Sequence, residues 1–191
     1  PERIEDLEKP FLAVATDLSS GREVWFRDGS LVEAIRASIS IPGVFSPSAV
    51  NDRWMLDGGL VNPVPVSGCR VFGASRVLAV NPNAKDGALW KAPDQSPTLV
   101  DRLGLELPAA LRELLPSSER QAQPGYADVV SVSIDIMTEF ILKHRAAADP
   151  PDVLLSARLQ HMSVLELHRA AQAIEEGVRI TRDAEADIRA L

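Results

Sequence analysis

The stretch from residue 54 to residue 66 constrains the fold of this chain more than any other. Three apolar residues lead to Asp57, two glycines follow it, and two prolines come shortly after. The apolar run predicts a short buried strand, and the glycines permit a tight turn or a close backbone approach at its end. Pro63 and Pro65 fix φ and lack an N–H donor, so the chain can leave the sheet there and enter a helix. The pattern therefore predicts a carboxylate on a turn at the end of a strand.

Two interpretations of Asp57 remain open at this point. Ligands of open α/β sheets collect at strand ends, which makes Asp57 a candidate site residue. Aspartate also commonly caps turns and helix starts without any further role. The local pattern alone does not decide between a cap and a functional carboxylate.

Strand patterns recur along the rest of the chain. The first two runs are separated by a short polar segment, so they predict a hairpin. Near-continuous apolar runs are typical of strands buried on both faces, as in parallel sheets. The predicted strands lie at residues 11–16, 23–27, 54–56, 77–80 and 152–156. Residues 40–53 are expected to form a loop that ends in a turn at Asn51 and Asp52.

Helical patterns alternate with these strands. Two capping boxes, Ser30 with Glu33 and Ser163 with Glu166, predict helix starts. The first helix should present one apolar face, formed by Leu31, Ile35 and Ile39. The second should run from Val164 towards Leu191. Its apolar stripe should consist of Leu167, Ala171, Ile174 and Val178. Further helices are expected at residues 64–72, closed by Gly73, and at 99–115 and 126–148. Strands that alternate with helices indicate an α/β domain with a mainly parallel sheet, which the hairpin makes mixed.

Charge and cysteine content exclude several classes of function. The net charge is -7, and no Lys/Arg cluster offsets it, so a nucleic-acid partner is not expected. The one cysteine, Cys69, cannot form an internal disulfide and fits a reducing, cytoplasmic location; we interpret it as a packing residue. No apolar stretch reaches the roughly 18 residues of a transmembrane helix. Two interpretations of Leu89 and Trp90 stay open: they contact a membrane surface peripherally, or they lie in an exposed loop.

Motifs for metals, nucleotides and nucleophiles are missing from the sequence. The histidines do not have the spacing of a zinc site and are interpreted as helix-surface or helix-end residues: His144, His161 and His168. No dinucleotide fingerprint or P-loop is present. The nearest approach to a Gly-x-Ser-x-Gly elbow surrounds Ser75, but it lacks the second glycine and joins a helix to a strand, the reverse of what an elbow needs.

Two long motifs in the same order resemble bacterial patatin-like phospholipases. They are Ala37-Ser38-Ile39-Ser40-Ile41-Pro42-Gly43-Val44-Phe45-Ser46-Pro47 and Leu56-Asp57-Gly58-Gly59-Leu60-Val61-Asn62-Pro63-Val64-Pro65-Val66. The resemblance is most specific over residues 11–82 and extends over nearly the full chain. It implies a three-layer α/β/α sandwich and a Ser-Asp dyad that needs no cofactor, metal or histidine. Asp57 matches the aspartate of that dyad.

The resemblance also implies what this sequence does not contain. In the family, the Gly-x-Ser-x-Gly serine and the glycine-rich oxyanion loop precede the region that matches residue 1. We therefore expect residues 1–191 to be the C-terminal part of a single patatin-like domain, incomplete at its N-terminal side, with exposed loops at 82–98 and 116–125. Its partners would be the missing N-terminal part and a lipid ester substrate.

The implied function is that of a serine acyl hydrolase acting on lipid carboxylic esters, with the 191 residues alone inactive. Ser38 and Ser40 are interpreted as hydrogen-bonding loop and helix-end residues, not nucleophiles. Ile41, Val44 and Phe45 could line an acyl-chain pocket or pack in the core. Two alternatives stay open: a non-catalytic fragment or pseudoenzyme that acts by binding, and an unrelated α/β enzyme with a phosphate or metal at the Asp57 turn.

Overall fold

The computed structural model describes residues 2–84, 125–159, 162 and 166–191. The chain divides into two compact units, one formed by Pro1–Gly87 with Ile134–Leu191 and the other by Ala88–Ser133. The described part of the second unit is residues 125–133, which include the first turns of a helix. The predicted helix at 99–115, the residues Leu89 and Trp90, and most of both predicted loops lie outside the described residues. That residues 1–191 belong to a single domain stays a prediction.

Strands and helices alternate in the described ranges. The strands are β1 (Ala13–Asp17), β2 (Glu23–Phe26), β3 (Ser48–Val50), β4 (Arg53–Asp57), β5 (Leu78–Asn81) and β6 (Val153–Ser156). The α-helices are α1 (Leu31–Ser38), α2 (Val66–Val71), α3 (Tyr126–Ala148), α4 (Ala170–Asp183) and α5 (Glu185–Arg189). Short 3-10 helices span Ile4–Asp6, Gly58–Leu60 and Leu167–Arg169. The predicted α/β class is confirmed.

The strands form two sheets in the described part of the chain. A four-stranded sheet has the order β2-β1-β4-β3, and a two-stranded sheet pairs β5 with β6. The predicted hairpin is confirmed, with Val14 opposite Trp25 in an antiparallel register. The three pairings of the larger sheet are antiparallel and the β5–β6 pairing is parallel, so antiparallel pairs outnumber parallel ones here. This differs from the expected mainly parallel sheet because short turns join β1 to β2 and β3 to β4, and short turns connect only antiparallel neighbours.

Strand β3 lies inside the segment that was predicted to be a loop, so that prediction is wrong for Ser48–Val50. The turn at Asn51 and Asp52 is confirmed, and both residues have positive φ, 50° and 58°. Positive φ at both central positions matches the right-handed twist of a tight hairpin. Val50 pairs with Arg53 across this turn. A three-residue strand is too short to show an alternating pattern, which is why the sequence did not indicate it.

Helix α1 packs against the larger sheet through alanines. Its predicted cap is confirmed, because the Ser30 hydroxyl accepts a hydrogen bond from the Glu33 backbone N–H at 3.3 Å. Its predicted apolar face is wrong: Ala34 and Ala37 are buried, whereas Ile35 and Ile39 are 42% and 44% exposed. Alanine lets a helix approach a sheet closely, and the buried cluster around this helix is accordingly built from small side chains and one methionine: Ala15, Ala37, Val50 and Met55.

Helix α2 ends as predicted, because Gly73 has φ 82° and donates its N–H to the carbonyl of Arg70 at 2.9 Å. Cys69, on this helix, is exposed. The interpretation of Cys69 as a packing residue is therefore wrong. The apolar run around it is a short helix, and its inward positions are Val66 and Gly68.

The C-terminal segment is not the single helix that was predicted. A 3-10 turn precedes α4, and Ala184 interrupts the helix between α4 and α5. The inward residue is Ile180, packed with Leu155 and Ala157, whereas Ile174 of the predicted stripe is 66% exposed. Tertiary packing explains the interruption, because Ala184 and Ile188 both contact this cluster. Ser163 and Val164 lie outside the described residues.

Candidate active site

Asp57 is the last residue of β4, and both of its backbone polar groups are bonded to neighbouring segments. Its N–H donates to the Ser40 carbonyl at 3.0 Å, and its carbonyl accepts from the Thr16 hydroxyl at 2.8 Å. Ala15 of β1 lies opposite Asp57 in the antiparallel register. The backbone of Asp57 is therefore held between the sheet and the loop that follows α1.

The Asp57 side chain caps the 3-10 helix that begins immediately after it. Oδ1 accepts a hydrogen bond from the Gly59 N–H at 2.7 Å. Among the described residues, no group donates a hydrogen bond to Oδ2. The cap and the functional interpretation are thus compatible, because the cap uses one carboxylate oxygen and leaves the other for a substrate or a water molecule.

Gly58 lets this turn lie against β1. A Cβ atom at this position would stand 2.1 Å from the Val14 carbonyl oxygen and 2.6 Å from its carbon, which no side chain can do without a backbone shift. The close backbone approach expected of the two glycines is found here at Gly58. The turn is consequently fixed by backbone packing as well as by the Asp57 cap.

Burial governs the ionisation of Asp57. Desolvation raises the pKa of its carboxyl above the ordinary value for aspartate, and the hydrogen bond from the Gly59 N–H lowers it by less. The raised pKa comes from the partial burial of the carboxylate at the strand end. Asp57 is in this way a stronger base than a solvated aspartate.

The loop after α1 contributes hydrogen bonds next to the Asp57 turn. Ser40 is fully buried, its hydroxyl donates to the Arg36 carbonyl at 2.9 Å, and it accepts from Arg36 Nη1 at 2.8 Å. This matches the interpretation of Ser40 as a hydrogen-bonding residue. Ser38 closes α1. Phe45 is 43% exposed, so it does not pack in the core.

A polar network behind the turn was not anticipated from the sequence. Asn62 is 3% exposed; its N–H donates to the Gly58 carbonyl at 2.9 Å, and its Nδ2 donates to Glu23 Oε1 at 2.7 Å. Glu23 Oε2 also accepts from Arg145 Nη2 at 2.7 Å. The network links β2, the Asp57 turn and α3. Asn62 lies in the quoted motif, but nothing in the sequence pairs it with Glu23 or Arg145.

A cavity of about 100 Å³ adjoins this network. Its wall is mainly aliphatic. It is lined by Asn62, Val64, Val66, Ser67, Leu142, Arg145, Ala146, Ala148, Asp149, Pro151 and Leu154. Asp57 does not line this cavity.

The histidines stand apart from Asp57 where they are described. His144 Nδ1 lies 2.9 Å from the Phe140 carbonyl oxygen on α3, and its ring contacts the Phe140 ring at a centroid distance of 4.1 Å. His168 is exposed in a 3-10 turn, and His161 lies outside the described residues. Within the described ranges, no three His, Cys, Asp or Glu side chains are grouped to hold a metal ion. None of the described helices is both long and apolar enough to cross a membrane.

Known proteins match this chain in the region that carries the site. Residues 1–69 match the family model of patatin-like phospholipase. An uncharacterized NTE family protein of Mycobacterium tuberculosis is 29% identical, in an alignment that covers 96% of this chain. An uncharacterized NTE family protein of Mycobacterium bovis matches with the same identity and coverage. The chain spans 65% of the length of each of these two relatives.

A third relative is a mammalian protein. The patatin-like phospholipase domain-containing protein 7 of Mus musculus is 34% identical over 86 residues, which are 44% of this chain and 6% of that protein. Both motifs quoted above, and with them Asp57, lie within the matched residues 1–69. Residues 1–69 therefore match the patatin-like phospholipase family, which is the resemblance that the two ordered motifs predicted.

Proposed function

We propose that the protein carrying this chain is a serine acyl hydrolase that cleaves lipid carboxylic esters, with Asp57 as the proton acceptor. The family assignment supports lipid hydrolysis as the general activity. One geometric observation carries the role of Asp57: its Oδ1 is bonded to the Gly59 N–H, while none of the described groups donates to Oδ2. A carboxylate held by one oxygen and open at the other is suited to take a proton from a positioned hydroxyl.

The partial burial of Asp57 supports the same role. A free aspartate has a pKa of about 3.9, which makes it a weak base near neutral pH. Desolvation raises the pKa of Asp57, so the carboxylate accepts a proton more readily than a solvated one does. The bonds from Thr16 and to Ser40 hold its backbone still while this transfer occurs.

The serine would come from the Gly-x-Ser-x-Gly segment that the family places before the region matching residue 1; the 191 residues contain no such motif. In the proposed reaction, Asp57 Oδ2 takes the serine hydroxyl proton as the oxygen attacks the ester carbonyl carbon. The tetrahedral species collapses, the C–O bond to the alcohol breaks, and Asp57 returns the proton to the leaving alkoxide. Water then attacks the acyl-enzyme while Asp57 accepts one of its protons. The bond between the acyl carbon and the serine oxygen breaks, Asp57 returns the proton to that oxygen, and the carboxylic acid leaves.

The test uses the complete reading frame that encodes this chain and a short-chain ester such as p-nitrophenyl butyrate. Replacing Asp57→Asn keeps an oxygen that can accept from Gly59 but removes the base. We expect kcat to fall about 100-fold or more, the usual contribution of a general base. Asp52→Asn is the matched control, because Asp52 is an exposed turn residue with φ 58°, a conformation that asparagine tolerates. Turnover by Asp57→Asn equal to that of the control variant would refute the assignment.

A further inference from the structure

Arg36 connects α1 to the loop that follows it through three contacts. Its Nη1 donates to the Ser40 hydroxyl at 2.8 Å, and its Nη2 donates to the Ser46 carbonyl at 2.9 Å. Its guanidinium carbon lies 5.6 Å from the centroid of the Phe45 ring. These contacts reach both ends of residues 40–46, so one side chain ties both ends of the loop to α1.

The same loop is bonded to Asp57. The Ser40 carbonyl accepts the Asp57 N–H at 3.0 Å, while the Ser40 hydroxyl donates to the Arg36 carbonyl at 2.9 Å and accepts from the Arg36 guanidinium. Ser40 is fully buried, so water cannot replace these bonds. A continuous path of hydrogen bonds therefore runs from Arg36 through Ser40 to the backbone of Asp57.

The contacts of Arg36 are not those of a surface ion pair. Among the described residues, no carboxylate lies within ion-pair distance of its guanidinium, and its hydrogen bonds go to a hydroxyl and a carbonyl. The guanidinium group is planar and rigid, so its two terminal nitrogens can donate hydrogen bonds to two oxygens in fixed directions. Its flat face remains available to stack on an aromatic ring. Lysine has one nitrogen on a flexible stem and cannot reproduce this arrangement.

We propose that Arg36 is a positioning residue for the Asp57 carboxylate, acting through Ser40 and the 40–46 loop. This inference rests on the proposed function. Arg36 does not touch the reacting atoms; it fixes the peptide whose carbonyl holds the Asp57 N–H. Loss of the guanidinium would let the loop and the strand end shift, and a shift on the order of 1 Å at a reacting group can cost about 100-fold in rate.

The test compares Arg36→Ala and Arg36→Lys with the unchanged protein, again from the complete reading frame and with p-nitrophenyl butyrate. For Arg36→Ala we expect kcat to fall between about 10-fold and 100-fold with KM changed less than about twofold, because the substrate still binds while the base is misplaced. Arg36→Lys should recover only a small part of kcat. Millimolar guanidinium chloride should partly restore kcat to Arg36→Ala by occupying the vacated position. Arg182→Ala, at an exposed position of α4, is the control and should change neither constant.

The outcomes separate this inference from the function on which it rests. Full activity of Asp57→Asn would overturn the proposed function whatever Arg36 does. If Asp57→Asn is inactive but Arg36→Ala keeps its kcat, the function stands and the positioning role is wrong. A third outcome would also contradict the positioning role. If Arg36→Ala lowers only the amount of folded protein, kcat per folded molecule stays unchanged and guanidinium gives no rescue. Arg36 then has a structural role alone.

Discussion

At the scale of single residues, Asp57 shows how one carboxylate can cap a turn and remain a base. A hydrogen bond from a backbone N–H stabilises the charged form of aspartate and by itself would lower its pKa. Here only one such bond is made, by Gly59, and partial burial outweighs it. The sequence predicted the turn and the carboxylate, but the balance between burial and hydrogen bonding depends on the neighbouring segments. Thr16 and Ser40, which bond to the Asp57 backbone, are distant in sequence, and nothing in the sequence indicated these hydrogen bonds.

The raised pKa of Asp57 has a consequence for stability. Between the unfolded pKa of about 3.9 and the higher folded pKa, the native state binds more protons than the unfolded state, so stability falls as pH rises through this window. Asp57→Asn removes the buried charge and keeps an acceptor for Gly59. We expect the variant to unfold at a higher temperature than the unchanged protein at pH 7, with a difference that shrinks towards pH 3. Thermal unfolding followed by circular dichroism across this range measures it. A variant less stable than the parent at pH 7 would contradict the burial argument.

Gly58 gives a second prediction at this scale. Gly58→Ala would place Cβ 2.1 Å from the Val14 carbonyl oxygen, and because the obstacle is backbone it cannot rotate away. We expect a loss of roughly 1–3 kcal/mol in the free energy of unfolding, the range of an overpacked core site. Gly177→Ala in α4 is the matched control: its added Cβ meets nothing within 4 Å, and helix propensity should stabilise it by about 1 kcal/mol. Urea unfolding of both variants measures these differences in stability. A urea midpoint for Gly58→Ala equal to that for Gly177→Ala would show that the turn does not lie against β1.

At the scale of elements, the sequence predicted which segments form strands and helices better than it predicted which faces they bury. The Ser30 cap and the Gly73 stop are local features, and both are confirmed. The buried face of α1 is not a local feature, because it is decided by how close the helix approaches the sheet. Ala34 and Ala37 face the sheet, and the larger Ile35 lies outside. Hydrophobic periodicity weighs large side chains most, so it selected the wrong stripe.

The network behind the Asp57 turn supplies a prediction for elements that the sequence could not connect. Asn62→Ala would remove the donor to Glu23 Oε1 and leave a partly buried carboxylate with fewer partners. We expect a loss of about 1–3 kcal/mol in stability. In a double-mutant cycle with Glu23→Gln, the two changes should be coupled by at least about 0.5 kcal/mol. Asn83→Ala, at an exposed turn position, is the control and should cost less than about 0.5 kcal/mol. Additive effects of Asn62→Ala and Glu23→Gln would show that the two side chains do not act together.

At the scale of the whole molecule, large apolar side chains lie exposed on several described elements. Phe140 of α3 is 63% exposed, Ile174 of α4 is 66% exposed, and Val80 of β5 is 51% exposed. Single exposed apolar residues are ordinary, but here they occur on several described elements, and exposed apolar surface promotes association when it is extensive. Exposed apolar faces are expected if the domain is incomplete at its N-terminal side, as the resemblance implies. The net charge of -7 opposes association only weakly at physiological salt, where charges are screened beyond about 8 Å.

The 191 residues expressed by themselves should therefore bind an apolar dye such as 8-anilinonaphthalene-1-sulfonate and elute above the mass of a monomer. Replacing Phe140→Ser and Ile174→Ser together should lower both the dye fluorescence and the apparent mass, because the substitutions reduce exposed apolar area without touching a buried cluster. Glu175→Ser, which changes the exposed residue beside Ile174, should leave both readouts unchanged. The complete reading frame should bind less dye per molecule than the 191 residues, since the family domain contains further structure. A monomeric 191-residue chain that binds no dye and unfolds in one cooperative transition would contradict this expectation, because its apolar faces would then be stable in water.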